Sequence, residues 1–455
     1  MKQALMVFGS TGNLMYEKLV PAIDQLLKEQ HIENELVIYA MGRRDWDSDD
    51  YFNDIKSNTD NDIDWAAIEK RLKYIKIDVK TAEDYSRVKE TVMADGIEDL
   101  TVYLAVPPYL FPVISKGICE SGLVEKGDIS NRIVFEKPFG EDLDSARSIN
   151  KSLWEYFDEK QIYRIDHYLG KEMIQNILMV RFANKIFEQV WDQKAIDYVM
   201  IIAKEEEGVL TRGAYYDKIG ALKDMLQSHL LQMAALVGME PPKNYDSEAI
   251  KNEKVAVLKG LKMAPKDILL GQYQGYTETD DVDNDSNTET LVFAEASIDN
   301  ARWRGVPFYF LTGKALNEKR SEIIVQFKSS DTINQLWPGE KAKDNRLKIE
   351  VAPNEGVVFQ FNVKNPGLSE KIVPAKLDYC HSCQAMENTP EAYERLILDV
   401  LNHNRTLFTR WDEIETTWNI IEKASRRRNQ LFKYASFEEV KEEIIHQYGE
   451  DFYDL

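Results

Sequence analysis

Residues 4–14 read Ala-Leu-Met-Val-Phe-Gly-Ser-Thr-Gly-Asn-Leu, and this stretch decides how the N-terminal part of the chain folds. The apolar run to Gly9 predicts a buried strand, and Leu14 to Lys28 has the apolar periodicity of a helix. Glycines at such a junction let the backbone approach a pyrophosphate, which the helix N-terminus stabilises. The spacing from Gly9 to Gly12 is shorter than the three-glycine fingerprint, so an ordinary strand–helix turn is the alternative.

Strand-like and helix-like segments alternate through the first 165 residues. Further strands are predicted at Leu36–Met41, Tyr74–Asp78, Thr101–Val106 and Arg132–Glu136, and helices at Ala82–Met93 and Leu143–Phe157. Repeated β-α units of this length predict a doubly wound parallel sheet. We therefore expect a Rossmann-type α/β domain over residues 1–165.

The pattern changes after about residue 170. Gly213–Gly238 is predicted as one long apolar helix, Asp280–Asn287 as an exposed acidic loop, and helices return from Pro390. Strands are predicted at Thr288–Ile298, Val306–Leu311, Glu322–Phe327, Arg346–Val351 and Val357–Val363. Because no helices separate these strands, they favour a mainly antiparallel sheet. Residues 166–455 are therefore expected to form a second, α+β domain, and two domains suit a 455-residue chain.

Composition limits the class of partner. The net charge of −21 and the pI near 4.9 argue against nucleic acid or an anionic membrane as a partner. No apolar stretch has the length of a membrane span. Three cysteines make no disulfide framework, which favours the cytosol. Cys380 and Cys383 have metal-like spacing, but no second pair exists, so a closed zinc site is not expected.

The end of the second predicted strand bears on the choice of dinucleotide. It reads Tyr-Ala-Met-Gly-Arg-Arg over residues 39–44, where an NAD site usually has a carboxylate for the ribose 2′-hydroxyl. Arg43 suits a 2′-phosphate instead, which favours NADP. Asp45 follows closely, so NAD stays possible.

A nonapeptide, Arg-Ile-Asp-His-Tyr-Leu-Gly-Lys-Glu at residues 164–172, concentrates an acid, an imidazole, a phenol and an ammonium. It follows a short strand-like run, and ligands bind at the carboxyl ends of strands in open α/β sheets. His167 and Lys171 stand four apart, so on one helical turn they would face the same way and could clamp one anion. The alternative is a solvated helix start capped by Asp166.

Two other segments carry groups suited to proton and hydride chemistry. Lys137, at the end of the fifth predicted strand, could meet both cofactor and substrate, although a plain turn is the alternative. His229 lies in an apolar helix, where a lone histidine is more often a core residue than a catalyst. It could act as a general base if a carboxylate orients it. In an α-helix Asp224 would lie about 140° around the axis from it, so the two would flank a cleft.

Two polar segments follow predicted strands further along the chain. Glu205 lies in an acidic run that could accept hydrogen bonds from sugar hydroxyls, and a solvated loop is the alternative. The segment from Lys314 to Arg320 offers three basic groups that suit a phosphate. A surface turn is its alternative.

In combination these segments resemble the glucose-6-phosphate dehydrogenase family, in order and over nearly the whole chain. The turn at residues 9–14, the segment Glu136–Gly140 and the nonapeptide carry the resemblance, and the nonapeptide is highly specific. Residues 176–187, 224–233, 302–316 and 390–400 also match. The chain departs from the family pattern at Asn13, where Asp is usual, at Ser228, where Asn is usual, and in its short C-terminal tail. Asn13 could still cap the first helix.

The resemblance implies oxidation of D-glucose 6-phosphate at C1 to 6-phospho-D-glucono-1,5-lactone, with hydride transfer to NADP. It implies His229 as general base and Asp166 as the carboxylate that orients it. The implied substrate contacts are His167, Tyr168, Lys171 and Lys319 for the phosphate, and Glu205, Asp224, Lys314 and Lys137 for the sugar. The implied cofactor contacts are Gly9, Ser10, Thr11, Gly12, Asn13, Leu14, Arg43, Pro107 and Lys137.

The resemblance also implies a homodimer or homotetramer that pairs through the antiparallel sheet. Two alternatives stay open. One is an NADP-dependent oxidoreductase of another sugar, of the glucose-fructose oxidoreductase type, which would share the Rossmann domain and the Glu-Lys-Pro motif but leave the nonapeptide unexplained. The other is a catalytically silent nucleotide-binding homologue.

Overall fold

The computed structural model describes residues 2–32, 35–59, 62–330, 332–337, 342–368, 370–381, 391–425, 431–449 and 452. The strands are β1 Lys2–Phe8, β2 Glu35–Gly42, β3 Leu72–Lys76, β4 Asp99–Leu104, β5 Asn131–Phe135, β6 Ile162–Ile165, β7 Ile196–Lys204, β8 Leu261–Lys262, β9 Ile268–Tyr273, β10 Leu291–Ile298, β11 Pro307–Gly313, β12 Arg320–Phe327, β13 Arg346–Ala352, β14 Gly356–Lys364, β15 Ile372–Cys380, β16 Phe408–Thr409 and β17 Phe432–Tyr434.

The α-helices are α1 Val20–Lys28, α2 Ser48–Asn58, α3 Trp65–Glu69, α4 Ala82–Ala94, α5 Phe111–Glu120, α6 Leu143–Tyr156, α7 Glu172–Phe182, α8 Lys185–Glu188, α9 Gly213–Ala221, α10 Leu231–Gly238, α11 Ser247–Gly260, α12 Ile333–Leu336, α13 Ala392–Leu401, α14 Trp411–Ala424 and α15 Phe437–Tyr448. Two π-helices span Met15–Leu19 and Leu222–Leu230, and short 3-10 turns lie at Pro108–Leu110, Glu159–Gln161, Leu210–Arg212, Pro265–Asp267 and Tyr276–Glu278.

The chain divides into two compact units. Unit 1 comprises Met1–Gly170, Asn244–Lys251 and Pro390–Glu415, and unit 2 comprises Lys171–Lys243, Asn252–Thr389 and Thr416–Leu455. The division differs from the boundary expected after residue 165, because two later segments return to the first unit. Local periodicity cannot indicate such returns.

Unit 1 contains a seven-stranded sheet in the order β16-β6-β5-β4-β1-β2-β3. Its first six strands in sequence pair in parallel, and β16 pairs antiparallel with β6 at the edge. The predicted doubly wound parallel sheet is therefore confirmed. Phe8 lies opposite Met41 on one side and Leu104 on the other, so β1, β2 and β4 end together.

The return of the chain to unit 1 has a physical cause in apolar burial. Leu396 and Val400 of α13 are at most 3% exposed and belong to the same core cluster as Leu19 and Ile23. The side-chain amide of Gln3 also donates to the carbonyl of Leu401 at 3.0 Å. Helix α13 thus completes a core that the first 165 residues leave partly open.

Unit 2 contains a sheet along the path β15-β14-β13-β12-β7-β11-β10-β9-β17, with β8 beside β10. Most neighbours are antiparallel, which confirms the predicted class of sheet. However, β7 runs parallel to β11, and β17 runs parallel to β9. A strand before Glu205 was predicted, but its place as β7 at the centre of this sheet was not, because it enters the sheet from a part of the chain far from its partners.

The segment predicted as one long helix over Gly213–Gly238 is interrupted, and that prediction is wrong. Gly220 has φ +70°, and a Cβ there would overlap the carboxylate of Glu289. The same carboxylate accepts from the amide of Leu222 at 3.1 Å, and the Glu289 carbonyl accepts from the amide of Ala221 at 3.0 Å. The chain restarts after Gly220 as a π-helix that continues into α10.

The cysteines differ in state. Cys119 is a free, half-buried thiol, and burial raises its pKa to about 12. Cys380, the last residue of β15, is disulfide-bonded. Cys383 lies outside the described residues, so the prediction about this pair stays a prediction.

Two further predictions concern an exposed loop and membrane-spanning segments. Asp280–Asn287 forms a largely exposed loop between β9 and β10, as predicted. Among the helices that the structure describes, none has the length and apolar character needed to cross a bilayer.

Candidate active site

The predicted coenzyme turn joins β1 to the first π-helix in unit 1. Gly9 has φ +83°, and a Cβ there would overlap the carbonyl oxygen of Ala105, which follows β4. A Cβ on Gly12 would meet nothing closer than the Gly9 carbonyl oxygen at 3.4 Å. The first glycine is therefore required for the strand ends to approach each other, whereas the second mainly leaves the turn open.

Ser10 serves a structural purpose within this turn. Its hydroxyl donates to the carbonyl of Met41 at 3.1 Å, and its own carbonyl accepts from the Tyr51 hydroxyl at 2.8 Å. These bonds fix the turn to the end of β2. Asn13 is exposed, and the π-helix begins without a side-chain cap, so the predicted capping role of Asn13 is wrong.

Two adjacent arginines follow β2 and differ in their contacts. Arg44 stacks on Trp46, with its guanidinium 4.4 Å from the ring centroid, and lies 3.4 Å from the carboxylate of Asp54. Arg43 is exposed and makes no hydrogen bond or ion pair within the described residues. A free guanidinium at this strand end is suited to bind a phosphate.

The Asp45 carboxylate, which kept NAD possible, is paired with a lysine. The Lys76 ammonium at the end of β3 lies 2.8 Å from the Asp45 carboxylate. Its hydrogen bond and positive charge lower the pKa of Asp45. A carboxylate held by a lysine is a poorer acceptor for a ribose hydroxyl, so this pair favours the phosphorylated coenzyme.

Glu136 follows β5 and immediately precedes Lys137. One carboxylate oxygen accepts hydrogen bonds from the hydroxyls of Tyr103, in β4, and Tyr393, in α13, the latter at 3.2 Å. Burial raises the pKa of Glu136 to about 7, the tyrosine hydroxyls lower it, and the charge of Asp166 raises it. The backbone that carries Lys137 is thus anchored by a carboxylate poised to titrate near neutrality. Neither tyrosine was predicted, because both lie far from Glu136 in sequence.

Pro107 and Lys137 lie after neighbouring strands of this sheet. Pro107 leads from β4 into the turn Pro108–Leu110. Lys137 is half-buried and is the second residue after the end of β5. Since β4 and β5 are parallel neighbours, the segments that follow them leave the same edge of the sheet. That edge also carries the coenzyme turn after β1 and Arg43 after β2.

The nonapeptide differs from its predicted local structure. Asp166 is 3% exposed, and its carboxylate accepts from the amide of Tyr168 at 3.0 Å. Residues 167–170 form a turn, and α7 begins at Glu172 with Lys171 as its N-cap residue. The alternative in which Asp166 caps a helix is therefore wrong, and so is the helical spacing assumed for the anion clamp.

The division between the units falls within this motif, after Gly170. His167 is exposed and Tyr168 is half-buried, with their ring centroids 5.0 Å apart in an edge contact. Both belong to unit 1, whereas Lys171 belongs to unit 2. The motif thus supplies groups to each unit.

Unit 2 brings Glu205 and Lys314 together. They follow the parallel strands β7 and β11, whose last residues, Lys204 and Gly313, lie opposite each other. The Glu205 amide donates to the carbonyl of Gly313 at 2.9 Å, and the Leu316 amide donates back to the carbonyl of Glu205 at 3.0 Å. The Lys314 ammonium and the Glu205 carboxylate form an ion pair across these two segments.

Two further lysines interact in unit 2. Burial lowers the pKa of Lys171, the carboxylate of Glu355 raises it, and the ammonium of Lys319 lowers it. Lys319 precedes β12, whose first residue, Arg320, lies opposite Lys204 at the end of β7. The influence of the Lys319 ammonium on Lys171 indicates that an anion would be favoured beside these two groups.

The π-helix Leu222–Leu230 changes the relation between Asp224 and His229. A π-helix links residues i and i+5 by hydrogen bonds, so residues five apart lie one turn from each other on the same side. The predicted separation of about 140° assumed an α-helix and is wrong. His229 is 2% exposed, and the Ser228 hydroxyl donates to the carbonyl of Asp224 at 2.9 Å.

Buried donors hold the C-terminal end of α10, the helix into which the π-helix continues. Arg181 donates to the carbonyl of Leu236 at 2.9 Å. The indole N–H groups of Trp191 and Trp303 donate to the carbonyls of Val237 and Gly238 at 2.9 and 2.7 Å. Three carbonyls that a helix end normally leaves without intrahelical partners are thereby satisfied. The helix that carries His229 is thus fixed at its end.

Two family models match the chain. The model described as "Glucose-6-phosphate dehydrogenase, NAD binding domain" matches residues 6–176. The model described as "Glucose-6-phosphate dehydrogenase, C-terminal domain" matches residues 178–449. Together the two models account for nearly the whole chain.

Individual proteins agree with the family models. Glucose-6-phosphate 1-dehydrogenase of Bacillus subtilis is 40% identical over 452 residues, which cover 93% of this chain and 91% of that protein. The cytoplasmic isoform of Solanum tuberosum is 36% identical over 92% of this chain and 84% of that protein. A structure of glucose-6-phosphate dehydrogenase in complex with glucose 6-phosphate has a TM-score of 0.87 and 31% identity, covering 95% and 94% of the two chains.

The titration of Glu136 gives a test of its environment. Because burial raises its folded-state pKa from 4.5 to about 7, the stability it contributes is complete below pH 4.5 and is lost as the pH rises through 7. Glu136→Gln removes this loss, so its stability relative to wild type should rise by about 3 kcal/mol as the pH increases from 4.5 to 7. Calorimetric melting temperatures across this pH range measure the difference.

The matched control is Glu141→Gln, which alters an exposed carboxylate of the same loop. It should shift the melting temperature by the same small amount at every pH. A difference between Glu136→Gln and wild type that does not change with pH would contradict the assigned environment.

Proposed function

The chain belongs to the glucose-6-phosphate dehydrogenase family, and from this membership we propose that it oxidises D-glucose 6-phosphate at C1, with hydride transfer to NADP. The product is 6-phospho-D-glucono-1,5-lactone, and the protein is an oxidoreductase. The observation that carries the proposal is the ion pair between Glu205 and Lys314 at the aligned ends of β7 and β11, where Lys319 also precedes β12.

The charges divide into two functional sets. Lys171 and Lys319 present two ammonium groups, which complement a phosphate dianion. The ion pair between Glu205 and Lys314 offers both acceptors and donors, which suits sugar hydroxyls that are themselves both. We assign His167 and Tyr168 to the phosphate, and Asp224 and Lys137 to the sugar, from the family resemblance.

The coenzyme assignment is supported by unit 1. The close approach of β1 and β4 leaves no space for a side chain at Gly9, and a pyrophosphate-binding turn requires a glycine at such a close approach. Arg43 is available for a 2′-phosphate, and Asp45 is held by Lys76. These features favour NADP over NAD. When bound, the oxidised nicotinamide supplies the acceptor for the hydride.

We assign to this chain the removal of the proton from the C1 hydroxyl of the sugar. His229 takes the proton from the C1 hydroxyl, and Asp166 is assigned as the carboxylate that orients the imidazole. Proton removal gives the C1 oxygen alkoxide character, which lowers the barrier to hydride departure from C1. Both roles rest on the family resemblance and stay predictions.

The location of the protein is proposed from a relative, and its assembly from the family resemblance. A relative from Solanum tuberosum is named as a cytoplasmic isoform, and we propose the cytoplasm for this protein as well. A homodimer or homotetramer that pairs through the unit 2 sheet stays a prediction from the resemblance.

Purified protein tests the function directly through the absorbance of reduced nicotinamide. We expect strong reduction of NADP with glucose 6-phosphate, and a loss of at least about 100-fold in kcat for His229→Ala, because the general base is removed. His446→Ala, which alters an exposed histidine of α15, is the matched control and should keep normal turnover. Near-normal turnover by His229→Ala would contradict the mechanism.

The same assay separates the alternative functions. No reduction of either NADP or NAD would favour a silent nucleotide-binding homologue. Reduction with free glucose that gains nothing from the phosphate would favour another sugar oxidoreductase.

Lys171→Ala tests the phosphate site. Because the variant removes one of two cations assigned to the phosphate, KM for glucose 6-phosphate should rise far more than KM for free glucose, by an order of magnitude or more. Steady-state kinetics with the two sugars measure the ratio. Lys185→Ala, at an exposed lysine of α8, should leave both constants unchanged. Equal effects on both sugars would place the phosphate elsewhere.

Lys76→Met tests the basis of coenzyme choice. The variant releases the Asp45 carboxylate, which would then repel a 2′-phosphate and accept a ribose hydroxyl, so the ratio of kcat/KM for NADP to that for NAD should fall several-fold. Lys73→Met is the matched control, because Lys73 lies in the same strand and pairs with Asp95 instead, at 2.6 Å. A ratio unchanged in Lys76→Met would show that Asp45 does not affect coenzyme choice.

A further inference from the structure

Tyr216 in α9 is a buried tyrosine whose hydroxyl has no hydrogen bond to any described residue. The residue is 2% exposed, and its ring packs with Val209 and with Tyr276, at 6.4 Å between the two ring centroids. The hydroxyls of its neighbours are engaged. Tyr276 donates to the carboxylate of Asp217 at 2.9 Å, and Tyr434 donates to the carbonyl of Lys314 at 2.7 Å.

The surroundings of Tyr216 are the groups assigned to the sugar. The ammonium of Lys314 lies 5.1 Å from the centroid of the Tyr216 ring. Burial raises the pKa of Tyr216 well above its usual value, and the carboxylates of Asp224, Glu289 and Glu205 raise it further. The phenol is therefore a neutral donor across the physiological pH range, surrounded by acceptors and one cation.

A hydroxyl on a nearly buried residue that lacks a protein partner keeps hydrogen-bonding capacity that water or a ligand must satisfy, because leaving it unused is costly. Such a group persists most readily where a ligand completes its hydrogen bonding. The apolar contacts of the ring with Val209 would be served equally well by phenylalanine. The hydroxyl therefore needs an explanation that packing does not provide.

We propose that the hydroxyl of Tyr216 is a further sugar-binding group, which donates a hydrogen bond to one ring hydroxyl of the pyranose beside the carboxylates of Asp224 and Glu205. The inference rests on the proposed function and adds a specificity-determining residue to it. A sugar hydroxyl both accepts and donates, so it can accept from Tyr216 while it donates to a carboxylate. A sugar that lacks this hydroxyl would lose both hydrogen bonds, which is how a hydrogen-bonding site rejects an analogue.

Tyr216→Phe is the decisive variant, because it keeps the ring, its packing and the contact with Lys314 and removes only the hydroxyl. We expect kcat/KM for glucose 6-phosphate to fall about fivefold to tenfold, with KM for NADP and the melting temperature nearly unchanged. The same variant is then assayed with the 2-deoxy, 3-deoxy and 4-deoxy analogues of glucose 6-phosphate. For the analogue that lacks the partner hydroxyl, Tyr216→Phe should cause no further loss relative to wild type.

The matched control is Tyr276→Phe, which removes a hydroxyl from the same cluster that is bonded to protein. Its effect should be the same factor for all four sugars. An equal loss for all four sugars in Tyr216→Phe, or no loss at all, would overturn the inference while wild-type turnover upholds the function. Absence of wild-type turnover with glucose 6-phosphate would instead refute the proposed function.

Discussion

The parallel pairing of β7 with β11 is the interaction on which the proposed sugar site depends. It aligns Lys204 with Gly313, so the residues that follow each strand emerge side by side at one edge. Glu205 and Lys314 then meet through two backbone hydrogen bonds and an ion pair. An antiparallel pairing would send these two side chains to opposite edges of the sheet. One parallel ladder in a mainly antiparallel sheet thus creates the charged group that suits a sugar.

In unit 1, too, parallel strands bring distant residues to one edge of a sheet, and here a glycine is also required. Its parallel strands deliver the coenzyme turn, Arg43 and Lys137 to one edge, because parallel strands end on the same side. The close approach of β1 and β4 leaves no room for a side chain at Gly9, whose left-handed φ also favours glycine. The anchoring of Ser10 to β2 then holds the turn in place.

Buried polar groups of unit 1 and unit 2 differ in how they are satisfied. Glu136 accepts from two tyrosine hydroxyls within unit 1, and its burial leaves it close to titration at neutral pH. The hydroxyl of Tyr216 in unit 2 receives no such partner from the described residues. The first arrangement stiffens the backbone before Lys137, whereas the second leaves hydrogen-bonding capacity for a ligand. The same low-polarity surroundings therefore favour rigidity in one place and recognition in the other.

Local periodicity was sufficient to predict the class of each sheet and the strand–helix turn at Gly9, because both depend on residues close together in the chain. It did not determine the return of α13 to unit 1 or the entry of β7 into the centre of the second sheet. Both depend on burial of apolar surface between distant segments. The relation of Asp224 to His229 was also decided in three dimensions. Gly220 and Glu289 interrupt the predicted helix, and the π-helix that follows brings residues five apart onto one side. The role proposed for Tyr216 had no counterpart in the sequence analysis, since nothing in its neighbours along the chain distinguishes it from a core tyrosine. Only the tertiary structure decides which buried hydroxyls find a partner, because hydrogen bonds form between groups that packing brings together, whatever their separation in sequence.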